Sequence, residues 1–121
     1  MLKSSNYQTG IEDEERAAEL LRAKGYAIIE SRAPARRGTT AGEIDIVAVK
    51  DNVLIFVEVK KRASIGLALE SIMARQQARV YSAAEAFLAR HPEYEGLDCR
   101  FDAIAFDDSY ISEHLENAWG L

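Results

Sequence analysis

Glu43-Ile44-Asp45-Ile46-Val47-Ala48-Val49-Lys50, then Asp51-Asn52, then Val53-Leu54-Ile55-Phe56-Val57-Glu58-Val59-Lys60 is the stretch that decides the fold. Two runs rich in Val and Ile, separated by two residues that tolerate positive φ, predict a β-hairpin. A two-residue loop puts Lys50 opposite Val53, and counting back places Asp45 opposite Glu58 and Glu43 opposite Lys60. Strand residues two apart share a face, so these four ionisable groups are expected together at the open end of the hairpin. Nearer the turn the same face carries Val47, Val49, Leu54 and Phe56. The other face is apolar throughout, with Ile44, Ile46 and Ala48 against Val53, Ile55, Val57 and Val59. Strands apolar on both faces belong in the middle of a covered sheet.

Two carboxylates directly across a strand pair repel each other. Either one keeps a proton or a cation sits between them. Hard ions such as Mg²⁺ or Mn²⁺ take carboxylate oxygens and suit such a pair. The ordinary alternative is a Lys60–Glu43 ion pair at a solvated strand end, with Asp45 and Glu58 exposed nearby. Periodicity alone does not separate the two.

Outward from the hairpin, Thr9-Gly10-Ile11-Glu12 has the form of a capping box and predicts a helix to about Lys24. Gly25 suits its left-handed stop. The apolar stripe of Ile11, Ala18 and Leu21 passes through Glu14, which makes that carboxylate a candidate for the same site and its neighbour Glu15 a weaker one. A first-turn glutamate favoured by the helix dipole is the plainer explanation. Tyr26 to Ser31 reads as a strand, Arg32 to Gly42 as an Arg-bearing loop, and Lys61 to Leu67 as a loop. A second helix is expected to be established by Ala74 and to end before Pro92, with a stripe of Val80, Ala84, Phe87 and Leu88 that also passes through Gln77. Cys99 to Phe106 reads as a last strand, and Ser109 to Leu121 fits no element. The order α-β-β-β-α-β predicts an α/β fold, a mixed central sheet flanked by helices.

The 121 residues, 48% hydrophobic and 29% charged, suit one domain spanning the chain, with a core over about 10–106. The lone Cys99 cannot form an internal disulfide, the first ten residues lack the apolar run of a signal peptide, and no stretch is long enough to span a bilayer. A cytoplasmic protein without membrane contact is expected. The net charge of −5 speaks against a general nucleic-acid binder. Between positions 32 and 79, however, nine Lys or Arg face five Asp or Glu, so one basic face is compatible with the charge. His91 and His114 stand alone and are expected at the surface.

Gly42-Glu43-Ile44-Asp45-Ile46-Val47-Ala48 followed by Val57-Glu58-Val59-Lys60 resembles the signature of the YraN-like family, in the PD-(D/E)XK nuclease superfamily, similar to Holliday-junction resolvases. The resemblance extends to Gly10, Glu14 and Ala17, to Lys24-Gly25-Tyr26, to Gln77 and to Arg100-Phe101-Asp102. It departs at Arg36 to Ala41 and at Gln76. It implies a restriction-endonuclease-like core, with Asp45 and Glu58 as Mg²⁺ or Mn²⁺ ligands, Lys60 as the catalytic lysine and Glu14 as an additional helix carboxylate. The function expected is metal-dependent hydrolysis of DNA phosphodiester bonds, with branched repair or recombination intermediates as one substrate class. Arg36, Arg37, Lys61, Arg62 and Gln77 would hold the nucleic acid. Paired sites suited to a branched DNA would make a homodimer, although the sequence marks no interface. The competing expectation is a nucleic-acid- or protein-binding module that keeps the scaffold without turnover.

Overall fold

A computed structural model describes residues 2–31, 44–74 and 77–119, without the side chains of 2–9 and 77. The elements are α1 (Leu2–Ala23), β1 (Ala27–Ser31), β2 (Ile46–Lys50), β3 (Val53–Lys61), α2 (Ile65–Met73), α3 (Gln77–Arg90), a 3₁₀ turn (Pro92–Tyr94), β4 (Asp98–Phe106) and β5 (Ser112–Leu115). The five strands form one mixed sheet in the order β1-β2-β3-β4-β5. Among the described strands only β3 and β4 run parallel, and α2 and α3 lie in the crossover that such a pair requires. The expected α/β architecture stands, consistent with a restriction-endonuclease-like core.

The hairpin forms in the expected register, with Lys50 paired to Val53 and Ile46 to Val57. Asp51 takes the positive φ, at 54°. On one side of the sheet Ala17, Ala18 and Leu21 of α1 pack on Ile46, Ile55, Val57 and Val59. On the other, Val80, Ala83, Ala84 and Phe87 of α3 pack on Val47, Leu54 and Phe56, while Ala68 and Ile72 of α2 are buried too. Phe56 is the hub of this second layer, edge-on to Phe87 at 5.9 Å and stacked on Phe101 at 5.3 Å. Full burial of a side chain of that size contributes about 1.5–3 kcal/mol. Both faces of β3 are covered, as its two-sided apolar pattern requires.

Several expectations need correction. α1 starts at Leu2, so Thr9 and Glu12 lie inside the helix and not at its cap. Extending a helix already formed adds one hydrogen bond per residue fixed, so a cap-like sequence does not stop one. The single second helix is two. Ile65 to Leu67 begins α2, opened by Ser64, whose side-chain oxygen accepts the Leu67 amide at 3.1 Å. The segment after Ser109 adds β5 on the β4 edge. Finally, β2 begins at Ile46, because the chain bends at Ile44 and Asp45. That bend breaks the alternation, so Ile44 joins Val47 and Phe56 in the α3 layer instead of Ile46 and Ala48.

Candidate metal centre

β3 carries Glu58 and Lys60 on one face and Val57, Val59 and Lys61 on the other, by simple alternation. Glu58 is only 1% exposed and Asp45 only 4%. Asp45 Oδ2 accepts the backbone amide of Val59 at 2.8 Å, which fixes the carboxylate against the residue between Glu58 and Lys60. The expected cross-strand pair of Asp45 with Glu58 does not form, because Asp45 lies in the bend before β2; its carboxylate instead takes the Val59 amide at the open end of the β2–β3 ladder, next in sequence to Glu58. Lys60 is half-buried, two residues beyond Glu58 on the same face of β3. The alternative of exposed carboxylates at a solvated strand end does not describe this burial.

Glu14 is 2% exposed, whereas Glu15 is exposed, so the helical register had separated the two correctly. Glu14 belongs to α1, whose Ala17 and Ala18 pack against the opposite face of the sheet. Among the described residues no three His, Cys, Asp or Glu side chains converge into a metal cage. Two carboxylates still fit a hard cation, since Mg²⁺ is held by one or two protein carboxylates and keeps water and substrate phosphate in the rest of its shell.

Of the basic residues proposed for nucleic acid, the two that are described, Lys61 and Arg62, have different partners. Lys61 points to the α1 face, with its ammonium 4.9 Å from the centroid of the Tyr110 ring. Arg62 is exposed, and its guanidinium bonds Ser71 Oγ at 2.9 Å and the Lys61 carbonyl at 2.8 Å. Gln77 opens α3. Arg36, Arg37 and Glu43 lie outside the described residues, as does the side chain of Gln77.

The chain matches the uncharacterised protein family UPF0102 over residues 13–106. This protein belongs to UPF0102. It is 44% identical over 119 residues to a UPF0102 protein of Azorhizobium caulinodans, covering 98% of this chain and 88% of that one. A UPF0102 protein of Bradyrhizobium diazoefficiens is 44% identical over 90% of this chain and 79% of its own, and one of Paramagnetospirillum magneticum is 42% identical over 87% and 81%. The YraN-like resemblance is thereby met, and with it membership of the PD-(D/E)XK-like superfamily. Among the described residues of this UPF0102 protein, no helix is long and apolar enough to cross a membrane.

Sequence reasoning missed a second polar centre. Asp102, wholly buried, accepts from Arg100 Nε and Nη2 at 2.9 Å each, from the Asn117 amide at 3.0 Å and from His114 Nε2 at 2.8 Å. His114 is thus no surface residue, its side chain being 6% exposed. Lys24 Nζ lies 2.8 Å from His114 Nδ1. An ammonium only donates, so Nδ1 accepts and Nε2 carries the proton given to Asp102. Burial alone would raise the Asp102 carboxyl, but His114, Arg100 and the Asn117 amide together hold it below the ordinary value of 3.8. The one available signal was Arg100-Phe101-Asp102, where alternation puts an acid and a base on one face. His91 is half-buried and stacks on Phe87 at 4.3 Å.

Proposed function

We propose that this UPF0102 protein is a metal-dependent nuclease that hydrolyses DNA phosphodiester bonds. The observation that carries the reading is the pair of buried carboxylates, Asp45 and Glu58, at the end of the β2–β3 ladder with Lys60 on the same face of β3 as Glu58. A Mg²⁺ or Mn²⁺ ion held by Asp45 and Glu58, with the buried carboxylate of Glu14 on α1 outside its ligand set, would polarise a phosphate oxygen and lower the pKa of an attacking water. Lys60 orients that water and stabilises the negative charge that develops on phosphorus. Asp45 accepts the Val59 amide through one carboxylate oxygen and would offer the other to the ion. Arg62, exposed just beyond β3, and Arg36 and Arg37 before β2 hold the phosphate backbone without reading bases. Branched DNA is the first substrate to test.

A second reading, a binding module on the same scaffold, draws on the lack of a three-ligand cage among the described residues. One experiment separates the two: single-turnover cleavage of linear, single-stranded and branched DNA in Mn²⁺ by wild type and by Lys60→Ala. Lys60→Ala should keep fold and DNA affinity and lose on the order of 10²–10³ in rate, the usual effect of removing one electrostatic contact to a transition state. If wild type cuts no nucleic acid with any divalent metal, the nuclease reading fails and the binding module replaces it.

A further inference from the structure

Between β4 and β5 the chain makes a tight turn organised by Asp107, whose Oδ1 accepts the amides of Ser109 at 2.8 Å and Ile111 at 3.0 Å. The Tyr110 amide returns to the Asp107 carbonyl at 3.0 Å, and Tyr110 itself sits at φ 62°. A bulky residue rarely adopts that left-handed backbone unless its surroundings hold it there. The surroundings do so at four points. Phe106 meets the Tyr110 ring edge-on at 5.4 Å. The hydroxyl donates to Asp13 Oδ1 at 2.7 Å, the Arg16 guanidinium lies 3.8 Å from the ring centroid, and the Lys61 ammonium lies 4.9 Å from it. Arg16 and Asp13 come from α1, Lys61 from the end of β3.

Each of two of these partners is a chain neighbour of a site residue. Asp13 precedes Glu14, and Lys61 follows Lys60. Because successive strand side chains point to opposite faces, holding Lys61 on the α1 face turns Lys60 to the face that carries Glu58. Holding Asp13 fixes the rotation of α1 about its axis at the turn that bears Glu14. We propose that Tyr110 is a positioning residue for the reaction: it ties α1 to the end of β3 and thereby sets where Glu14 and Lys60 stand relative to the carboxylate pair. This rests on the nuclease reading above. Tyr110 acts through Asp13 and Lys61, the chain neighbours of Glu14 and Lys60.

The test uses Tyr110→Phe, which keeps the ring and loses the hydroxyl, Asp13→Ala, which loses the acceptor, and Asp13→Asn, which retains one. The readouts are single-turnover cleavage rate, half-saturating DNA concentration and melting temperature. Misplacing a reacting group by about 1 Å costs on the order of 10²-fold, so losing one tie of several should slow cleavage about tenfold. Tyr110→Phe and Asp13→Ala should each show that loss, with half-saturation unchanged and melting within a few degrees of wild type. Asp13→Asn should cleave near the wild-type rate. The double variant Tyr110→Phe/Asp13→Ala should be no slower than either single one, because both remove the same bond. With an active wild type, full activity in Tyr110→Phe, or an effect on half-saturation alone, overturns the positioning role and leaves the nuclease reading standing. An inactive wild type overturns the nuclease reading first, and the role of Tyr110 with it.

Discussion

Asp45 commits a carboxylate oxygen to the main chain. In a two-residue hairpin the hydrogen-bonded pairs alternate, so Lys50 with Val53, Ala48 with Ile55 and Ile46 with Val57 would be followed by Ile44 with Val59. Val59 instead gives its amide to Asp45 Oδ2. A side chain thus stands in for the Ile44 carbonyl, and the chain is free to bend there and bury Ile44 in the α3 layer. Asp45 consequently has a structural and a chemical task, and two substitutions separate them. Asn keeps an acceptor for Val59 and loses the charge, whereas Ala loses both. Asp45→Ala should cost about 1.5–3 kcal/mol, the range for a hydrogen bond to a charged group, and should speed hydrogen exchange at the Val59 amide. Asp45→Asn should stay near wild-type stability, since relief of repulsion from Glu58 offsets a weaker neutral bond. Neither should bind Mn²⁺ tightly. Urea unfolding, amide exchange and calorimetric titration read the three quantities. An Ala variant as stable as wild type would deny Asp45 its place in the ladder.

At the scale of elements, α1 shows what local sequence can and cannot say. Its end was legible, because only a glycine fits. Gly25 sits at φ +98°, its amide bonds the Arg22 carbonyl at 2.9 Å, and the Tyr26 amide returns to the Leu21 carbonyl at 3.0 Å, a Schellman stop. Lys50 Nζ then bonds the Lys24 carbonyl at 2.7 Å, a cation at the negative end of the helix. Gly25→Ala should cost about 1–2 kcal/mol for the left-handed backbone. The new Cβ would also come within 3.3 Å of Lys50 Cε, although that flexible stem can move. Chemical denaturation checks it, and an unchanged midpoint would mean the stop tolerates a side chain. The hairpin was legible for a like reason, since a two-residue turn admits one register. The start of α1, the separate α2 and β5 were not. Leu2 to Gln8 carries no apolar period, α2 at 9 residues is too short for its stripe to repeat, and β5 is a short edge strand whose Ser112 and Glu113 are exposed. The burial of Asp45, Glu58 and Glu14 was legible because charge on an apolar face is conspicuous. Asp13, Tyr110 and His114 were not, because their ties join positions 97 and 90 residues apart, which no local period can report.

Across the whole molecule, the last segment of chain is held by charge as well as by packing. Trp119 meets Phe101 edge-on at 6.3 Å, and the Ala118 amide bonds the Phe101 carbonyl. Asp102 joins four parts of the fold, since Arg100 reaches on to Tyr26 Oη at 2.8 Å, His114 belongs to β5 and contacts Lys24, and Asn117 lies beyond β5. A buried carboxylate with this many donors stabilises the folded state only while it is ionised. Its folded pKa lies below the ordinary 3.8, despite burial, owing to His114, Arg100 and the Asn117 amide. The unfolded chain therefore takes up the proton first. The stabilisation is fully present above about pH 4 and is lost as pH falls from there through the depressed folded value. Asp102→Asn removes the charge while Arg100 remains in place. Breaking one side of a buried ion pair typically costs about 3–5 kcal/mol, and the lower end applies here because Arg100 stays 23% exposed. The variant should be about 3 kcal/mol less stable at pH 7, and its stability should fall less steeply than that of wild type below pH 4, so that the two curves converge in acid. Urea unfolding measured from pH 7 down to pH 3 tests this. Parallel curves over that range would place the acid sensitivity in other carboxylates and reduce Asp102 to a packing residue.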